Sequence, residues 1–313
     1  MNLEEFRDSL LEEIRGVGGP LFEHVITKTN LVPSIDDQNI TYPNLIEKMQ
    51  KSKLLESAVL FVDLRNSTAI SLNHNQQTLA ALYSTYVRSM TRAAHYFNGH
   101  VRNIIGDRVM VVFDRENCYR KAVNTAMLMN SVANYMLNKE TSAVQVKVGI
   151  GIDFGEMLIT KTGIIKRGSE NTSNKSLVWL GKPANVASKL TDMANKQRNA
   201  PERMVEEGDY YPALEEWGWY RYSVDEFLSR IEAIGGKIRH REQYFETFIK
   251  VMSNPPVNPP ILMTKYFHDG LTKEHSELKC VKDEFWKAQD LSLPRVTGKI
   301  YGGSGYFESV AKY

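Results

Sequence analysis

Cysteine is scarce in this chain: there are two among 313 residues, Cys118 and Cys280. They have neither metal-ligand spacing nor a pairing pattern, which excludes a disulfide framework and fits a reducing cytoplasm. No apolar run approaches the roughly 20 residues that a membrane helix needs. The N-terminus, Met1-Asn2-Leu3-Glu4-Glu5-Phe6, is acidic rather than signal-like. We therefore expect a cytoplasmic protein with no membrane insertion. An excess of one charge is also missing. The formal net charge is +2, too small for bulk nucleic-acid binding, so any phosphate recognition should be local. Internal repeats are absent. Gly302-Gly303-Ser304-Gly305 lacks a following Lys-Ser/Thr and reads as a turn, not a P-loop. His100, His240, His268 and His275 have no ligand spacing.

What is present is ordinary globular material, 42% apolar and 24% charged, enough for one large domain or two smaller ones. Leu3, Phe6, Leu10, Leu11 and Ile14 have helical spacing that stops at Gly16. Residues 1–53 are expected to be a helical lead-in, with a second short helix near 42–50. Residues 58–64 form a compact apolar run, read as a buried strand. Asn66-Ser67-Thr68 then opens a helix with apolar residues from Leu79 to Met90 on one side. Strands over 100–105 and 108–113 flank the tight Gly106-Asp107 turn, a β-hairpin. A helix over 118–137 follows, then a strand over 144–152 that Gly155 to Ile159 continues. Residues 162–175 read as a polar loop, 176–180 as a strand and 183–194 as a helix. Past 198 the signal weakens: an aromatic-rich stretch from Tyr210 to Tyr222, a helix over 224–234 and a hairpin over 296–310. The order predicts an α+β fold with helices packed on a mainly antiparallel sheet. The catalytic core is expected over 54–197, with 198–313 completing and elaborating it.

The chemistry concentrates at two carboxylates. Asp63 ends the run Phe61-Val62-Asp63-Leu64, and Asp107 sits in the turn before Val109-Met110-Val111-Val112-Phe113. If the first strand and the hairpin are sheet neighbours, both carboxylates reach one point. Ionised carboxylates are hard oxygen ligands suited to Mg²⁺ or Mn²⁺. A metal pair can activate an attacking oxygen and stabilise a leaving phosphate. The backbone amides of residues 64–68, opening a helix, would then cradle phosphate oxygens.

Four segments carry a resemblance. Phe61-x-Asp63-x-Arg65-x-Ser67-Thr68 resembles the first metal motif of the class III nucleotide cyclases. Asn98-Gly99 through Asn103-Ile104-Ile105-Gly106-Asp107, followed by Val109 to Phe113, resembles their hairpin motif. Val148 to Glu156 resembles their next strand and turn. Gly181-Lys182-Pro183-Ala184-Asn185-Val186-Ala187-Ser188-Lys189-Leu190 resembles their Asn-bearing helix. The resemblance implies the ferredoxin-like fold of that family and a homodimer with active sites shared across the interface. It implies that Asp63 and Asp107 hold two Mg²⁺ or Mn²⁺ ions per site, with the Leu64 carbonyl beside one. It also implies that Asn185 positions the ribose and Lys189 meets the triphosphate, both from the other subunit. Phe61, Arg65, Asn66, Ser67 and Thr68 would line the substrate. The reaction would be attack of the ribose 3′-oxygen on the α-phosphate, with loss of pyrophosphate.

The departures from that family bear on the base. Purine cyclases carry Lys or Glu three residues before the hairpin Gly; this chain has Asn103. They carry a residue suited to a purine three before the Gly of the Asn motif; this chain has Val178, which cannot hydrogen-bond a base. Lys189 replaces Arg, losing the bidentate fork but keeping the charge. An Asn amide can pair with the edge of a pyrimidine. The pattern resembles the pyrimidine cyclases of the antiphage systems called Pycsar. It implies CTP or UTP as substrate, with CTP placed narrowly first, and a separate effector activated by the cyclic product. A purine (adenylate) cyclase with an unusual pocket and a non-catalytic dimeric nucleotide sensor are the other readings. The retained Asp pair weighs against the sensor, since a like-charge pair is costly to keep without use.

Overall fold

A computed structural model describes residues 2–141, 144–162, 176–197, 203–241, 250–253 and 257–312. The chain divides into two compact units, Met1–Asn195 with Pro259–Tyr313, and Lys196–Asn258.

The larger unit is built on a nine-stranded sheet. Its strands are β1 (Glu23–Thr29), β2 (Met49–Leu64), β3 (Gly99–Ile105), β4 (Arg108–Phe113), β5 (Val148–Thr162) and β6 (Ser176–Leu180). The second unit holds β7 (Arg203–Tyr211), β8 (Glu216–Ser223), β9 (Ile231–Ile234), β10 (Lys237–His240) and β11 (Lys250–Ser253). The chain then returns to the first sheet with β12 (Ile261–Thr264), β13 (Lys287–Gln289) and β14 (Ile300–Gly303). The spatial order is β13-β14-β12-β5-β2-β4-β3, with β1 on β2 and β6 on β5. Pairing is antiparallel except for β1 with β2 and β12 with β5.

Helices cover both faces. They are α1 (Leu3–Gly18), α2 (Ser67–Asn73), α3 (Gln76–Tyr96), α4 (Cys118–Ser131), a three-residue α5 (Asn138–Glu140) and α6 (Lys182–Met193). In the second unit lies α7 (Val224–Ser229), and after it α8 (Lys265–Glu274). β2 reads buried at nearly every position from Ala58 to Leu64 because both of its faces are covered. One face packs Leu60, Val62, Val109 and Val111 against Tyr86, Met90, Ala122 and Phe267. The other packs Val59, Val112, Met157 and Ile159 against Ala184 and Ala187 of α6.

α6 lies very close to the sheet. A Cβ built at Gly151 would meet the Ala187 carbonyl oxygen at 2.1 Å. Thr191 Oγ1 donates to the Phe61 carbonyl at 3.1 Å. The helix therefore sits directly over the end of β2.

Several sequence expectations need correction. Residues 42–50 form no helix: they turn, and Met49 opens β2. The lead-in is not wholly helical, since β1 pairs with β2 along seven residues. The helix over 118–137 changes to a π-helix at Val132–Leu137. The strand expected from 144 starts at Val148 and runs unbroken through Gly155. The helix over 224–234 stops at Ser229, and β9 then pairs with β10. The tail hairpin is absent; Ile300–Gly303 instead fills a place between β12 and β13. Of the polar loop expected over 162–175, Thr162 ends β5 and the rest lies outside the described residues.

The second unit holds a three-stranded sheet, β11-β7-β8, and the β9–β10 ribbon. Its aromatic stretch is a β7–β8 hairpin with Trp217, Trp219 and Tyr220 exposed. Glu207, fully buried, is matched by Arg230 at 3.0 Å and His240 at 3.2 Å.

One buried acid gives a pH prediction. Asp153 on β5 is 4% exposed and accepts from Thr264 Oγ1 at 2.5 Å. Burial pushes its pKa up from 3.8 to about 6, against the opposing Thr264 bond. The native state thus holds a proton that the unfolded chain releases. Its contribution is complete below pH 3.8 and is lost as pH rises through about 6, by up to roughly 3 kcal/mol. In thermal melts from pH 4 to 7, Asp153→Asn should remove this falling slope and leave the variant the more stable protein at pH 7. An unchanged slope would refute the assignment.

Candidate active site

The end of β2 and the β3–β4 turn build the acidic centre. Phe61 pairs with Met110 and Val62 with Val109, so Asp63 lies beside the start of β4. Ile105 pairs with Arg108 across a two-residue turn, and Gly106 takes φ +61°. That left-handed position is one a glycine adopts without strain. The turn places Asp107 next to Asp63.

Burial first, and the Asp63 charge second, raise the pKa of Asp107. Its carboxylate accepts from the Leu64 amide and the Ser67 side chain, which pull the other way. Its Oδ2 is buried with no hydrogen-bond partner among the described residues. Tyr86 is fully buried, and its hydroxyl is held well above its ordinary pKa by burial and then by both carboxylates.

An orphaned carboxylate oxygen beside a second carboxylate fits a divalent ion, whose charge would relieve both the desolvation and the repulsion. Asp63 and Asp107 would hold such ions, with the Leu64 carbonyl nearby. No group of three or more His, Cys, Asp or Glu that could hold a metal occurs among the described residues. Remaining coordination would therefore fall to water, backbone or phosphate oxygens.

A cavity of about 590 Å³ opens beside this pair, within the range of nucleotide-sized pockets. Phe61, Asp63, Ser67, Asn103, Asp107, Val178 and Asn185 all line it, with Ile105, Met110 and Trp179 among the apolar walls. Seven residues picked out in the sequence thus converge. Asn103 follows a break in the β3–β4 register after Val101. Asn185 and Lys189 are one turn apart on the exposed side of α6.

Other expected residues lie elsewhere. Arg65 is 5% exposed and is not in the cavity wall. Its guanidinium lies against Gly149, donates to the Thr191 carbonyl at 2.8 Å and reaches Asp63 Oδ2 at 3.4 Å. It braces the acidic centre from behind rather than facing a substrate. The Arg65 amide is bound to the Lys147 carbonyl at 2.8 Å and the Leu64 amide to Asp107. The phosphate cradle expected over 64–68 therefore reduces to its last three amides. Asn66, Thr68 and Lys189 are exposed and outside the wall.

Sequence reading missed Arg108. It lines the cavity and joins Asp63 Oδ2 at 2.9 Å and Ser188 Oγ at 2.9 Å, and it also pairs with Asp192. An Arg directly after the turn carboxylate was the available signal; its partners on α6 were not readable.

Residues 49–200 match the model of the adenylate and guanylate cyclase catalytic domain. The chain is 32% identical over 179 residues to a protein of Gulbenkiania mobilis named uridylate cyclase, covering 53% of this chain and 64% of that protein. It is 27% identical over 205 residues to a uridylate cyclase of Burkholderia cepacia, covering 64% and 81%. It is 31% identical over 116 residues to a cytidylate cyclase of Staphylococcus aureus, covering 34% and 27%. The chain thus spans just under two thirds of the first of these relatives and about a quarter of the last. No described helix is long and apolar enough to cross a membrane. With the four motifs, the α+β sheet and the converging carboxylates in place, the conclusion is that residues 49–200 of this chain are similar to the adenylate and guanylate cyclase catalytic domain.

Proposed function

We propose that the chain is a pyrimidine nucleotide cyclase that converts UTP to 3′,5′-cyclic UMP and pyrophosphate, with CTP as the second substrate to test. The observation that carries this is the single cavity in which Asp63 and Asp107 face Asn103 and Val178. The first pair suits phosphoryl chemistry, and the second lacks the groups a purine would need. The order of the two pyrimidines differs from the sequence reading, which put CTP first. Asn103 can present either its amide nitrogen or its oxygen, so the residues themselves are neutral. The names of the relatives in Gulbenkiania and Burkholderia support UTP.

In-line displacement needs positioning and charge neutralisation more than a covalent nucleophile. Asn185 would fix the ribose so that its 3′-oxygen points at the α-phosphate. Lys189 would hold the departing pyrophosphate. Two Mg²⁺ or Mn²⁺ ions on Asp63 and Asp107 would supply Lewis-acid stabilisation of the phosphate charge. Lys189, outside this chain's cavity wall, would serve the site of a second copy in a homodimer, whereas Asn185 lines the cavity of its own chain. Exposed Ile104, Ile105 and Leu180 around the cavity are the apolar surface such a contact would cover. Release of the cyclic product to a separate effector in antiphage defence, within the cytoplasm, completes the reading.

The test is incubation of the pure protein with each of the four nucleoside triphosphates and Mn²⁺, following pyrophosphate and cyclic product. Cyclic UMP should dominate. A cyclic purine as main product would overturn the pyrimidine reading, and no turnover would favour the nucleotide sensor. Separately, mixing Asp63→Ala with Lys189→Ala should restore up to about a quarter of the activity through mixed dimers. Absence of rescue, with subunit exchange shown, would sink the shared site.

A further inference from the structure

The geometry points to Arg108 as an internal cation that competes with divalent metal for Asp63 and ties metal loading to the position of α6. This rests on the reading that Asp63 and Asp107 hold the metals.

The Arg108 side chain is 24% exposed and makes three contacts across a long sequence gap. Nη2 donates to Asp63 Oδ2 at 2.9 Å and also to Asp192 Oδ1. Nη1 donates to Ser188 Oγ at 2.9 Å. Ser188 and Asp192 lie one turn apart on α6, so the guanidinium is a strut between the acidic centre and that helix. Asn185 and Lys189 are on the same helix. Asp63 is therefore held by a cation that is itself fixed at two other points.

A guanidinium and a divalent ion seek the same thing, the charge and lone pairs of the Asp63 carboxylate. The charge centres cannot approach it together without mutual repulsion, screened only in part because the Asp63 side chain is 16% exposed. Asp107 is different: no arginine is bound to it, and its Oδ2 has no partner among the described residues. The two carboxylates are thus unequal. Metal would meet little cationic competition at Asp107 and direct competition at Asp63.

Loading at Asp63 would loosen the Arg108 contact, and through it the tie to Ser188 and Asp192. By linkage, a helix held tightly against Arg108 weakens metal binding, and bound metal frees the helix. Arg108 is then a positioning residue that sets when α6 is released toward a substrate.

The experiment measures Mn²⁺ binding by calorimetry and by the Mn²⁺ spin-resonance signal, in nucleotide-free protein. The proteins are wild type, Arg108→Gln, Ser188→Ala and Asp107→Ala, with hydrogen exchange of the α6 amides run in parallel. Loss of one charge-assisted bond converts to roughly tenfold to a hundredfold in affinity. Arg108→Gln should therefore bind Mn²⁺ more tightly by that factor, and Ser188→Ala by a smaller factor in the same direction. Amides of α6 should exchange faster in wild type once Mn²⁺ is added. In Arg108→Gln they should exchange fast from the start, with no further response. Weaker or unchanged Mn²⁺ binding in Arg108→Gln would overturn the inference and make Arg108 an orienter of Asp63. If that variant fails to fold, an unchanged affinity in Ser188→Ala decides against it. If wild type and Asp107→Ala bind Mn²⁺ alike, the metal reading itself fails, a result distinct from failure of the competition.

Discussion

Replacing Asp107 with Asn should abolish cyclisation and at the same time stabilise the fold. The two effects have one cause. Asp107 is held partly buried beside Asp63, and burial and the neighbouring charge both disfavour its ionised form. The orphaned Oδ2 adds an unmet acceptor. An amide of the same shape removes the charge and keeps the oxygen that accepts from the Leu64 amide and Ser67. Relief of a like-charge contact of this kind should raise the melting temperature by roughly 2–4 °C for about 1 kcal/mol. Asp107 would hold a metal ion, and losing that ligand would remove the electrostatic stabilisation that phosphoryl chemistry depends on. A fall in kcat of at least about a thousandfold is therefore expected. Pyrophosphate release and a thermal melt on the same preparation check both halves. Retained activity would refute the role of Asp107; a lower melting temperature would refute its electrostatic cost. Asp63→Ala should be equally inactive but less stable, because it strips Arg65 and Arg108 of a shared counter-ion.

Gly151→Ala should be the most damaging methyl at any of the described glycines. A Cβ there would lie 2.1 Å from the Ala187 carbonyl oxygen, 2.5 Å from the Thr191 amide nitrogen and 2.7 Å from Thr191 Oγ1. The first two are backbone atoms of α6, so no side-chain rotation relieves the clash. The helix must lift away from β5, breaking the Thr191 bond to Phe61 and exposing Ala187 and Leu190, which are wholly buried. Loss of that packing is expected to cost about 3 kcal/mol or more. It would also displace Asn185 and the Arg108 contacts from the acidic centre. Urea denaturation should show a large fall in midpoint. A variant as stable as wild type would mean that α6 does not sit where the structure places it.

The acidic centre could be read before any coordinates because its parts are local. Asp63 ends an apolar strand, and Gly106-Asp107 is a two-residue turn whose chemistry specifies a hairpin. Antiparallel neighbours in this order meet at one end. Asn103 and Val178 could be flagged only through the resemblance, by their offset from its motif glycines. The expectations that failed were those resting on weak or ambiguous periodicity. Residues 42–50 had helical-looking apolar spacing, but β1 offered Met49 and its successors a parallel partner. The stretch over 224–234 ended as a helix where pairing with β10 took over. Arg65 matched a motif position, yet its contacts with Gly149 and Thr191 turned it away from the cavity.

By itself the sequence determined the class of fold and the two carboxylates, while the break from a purine-reading pattern is what its resemblance to the cyclases implies. These depend on short-range features: alternation, turn glycines and residues a few positions from them. The tertiary structure alone decided that residues beyond 259 return to extend the sheet beside β5. It alone decided that α6 lies flat on Gly151, and that Arg108 joins Asp63 to Asp192, 84 positions further along the chain from the arginine. Such contacts depend on how close two distant backbones come, and no local pattern carries that distance.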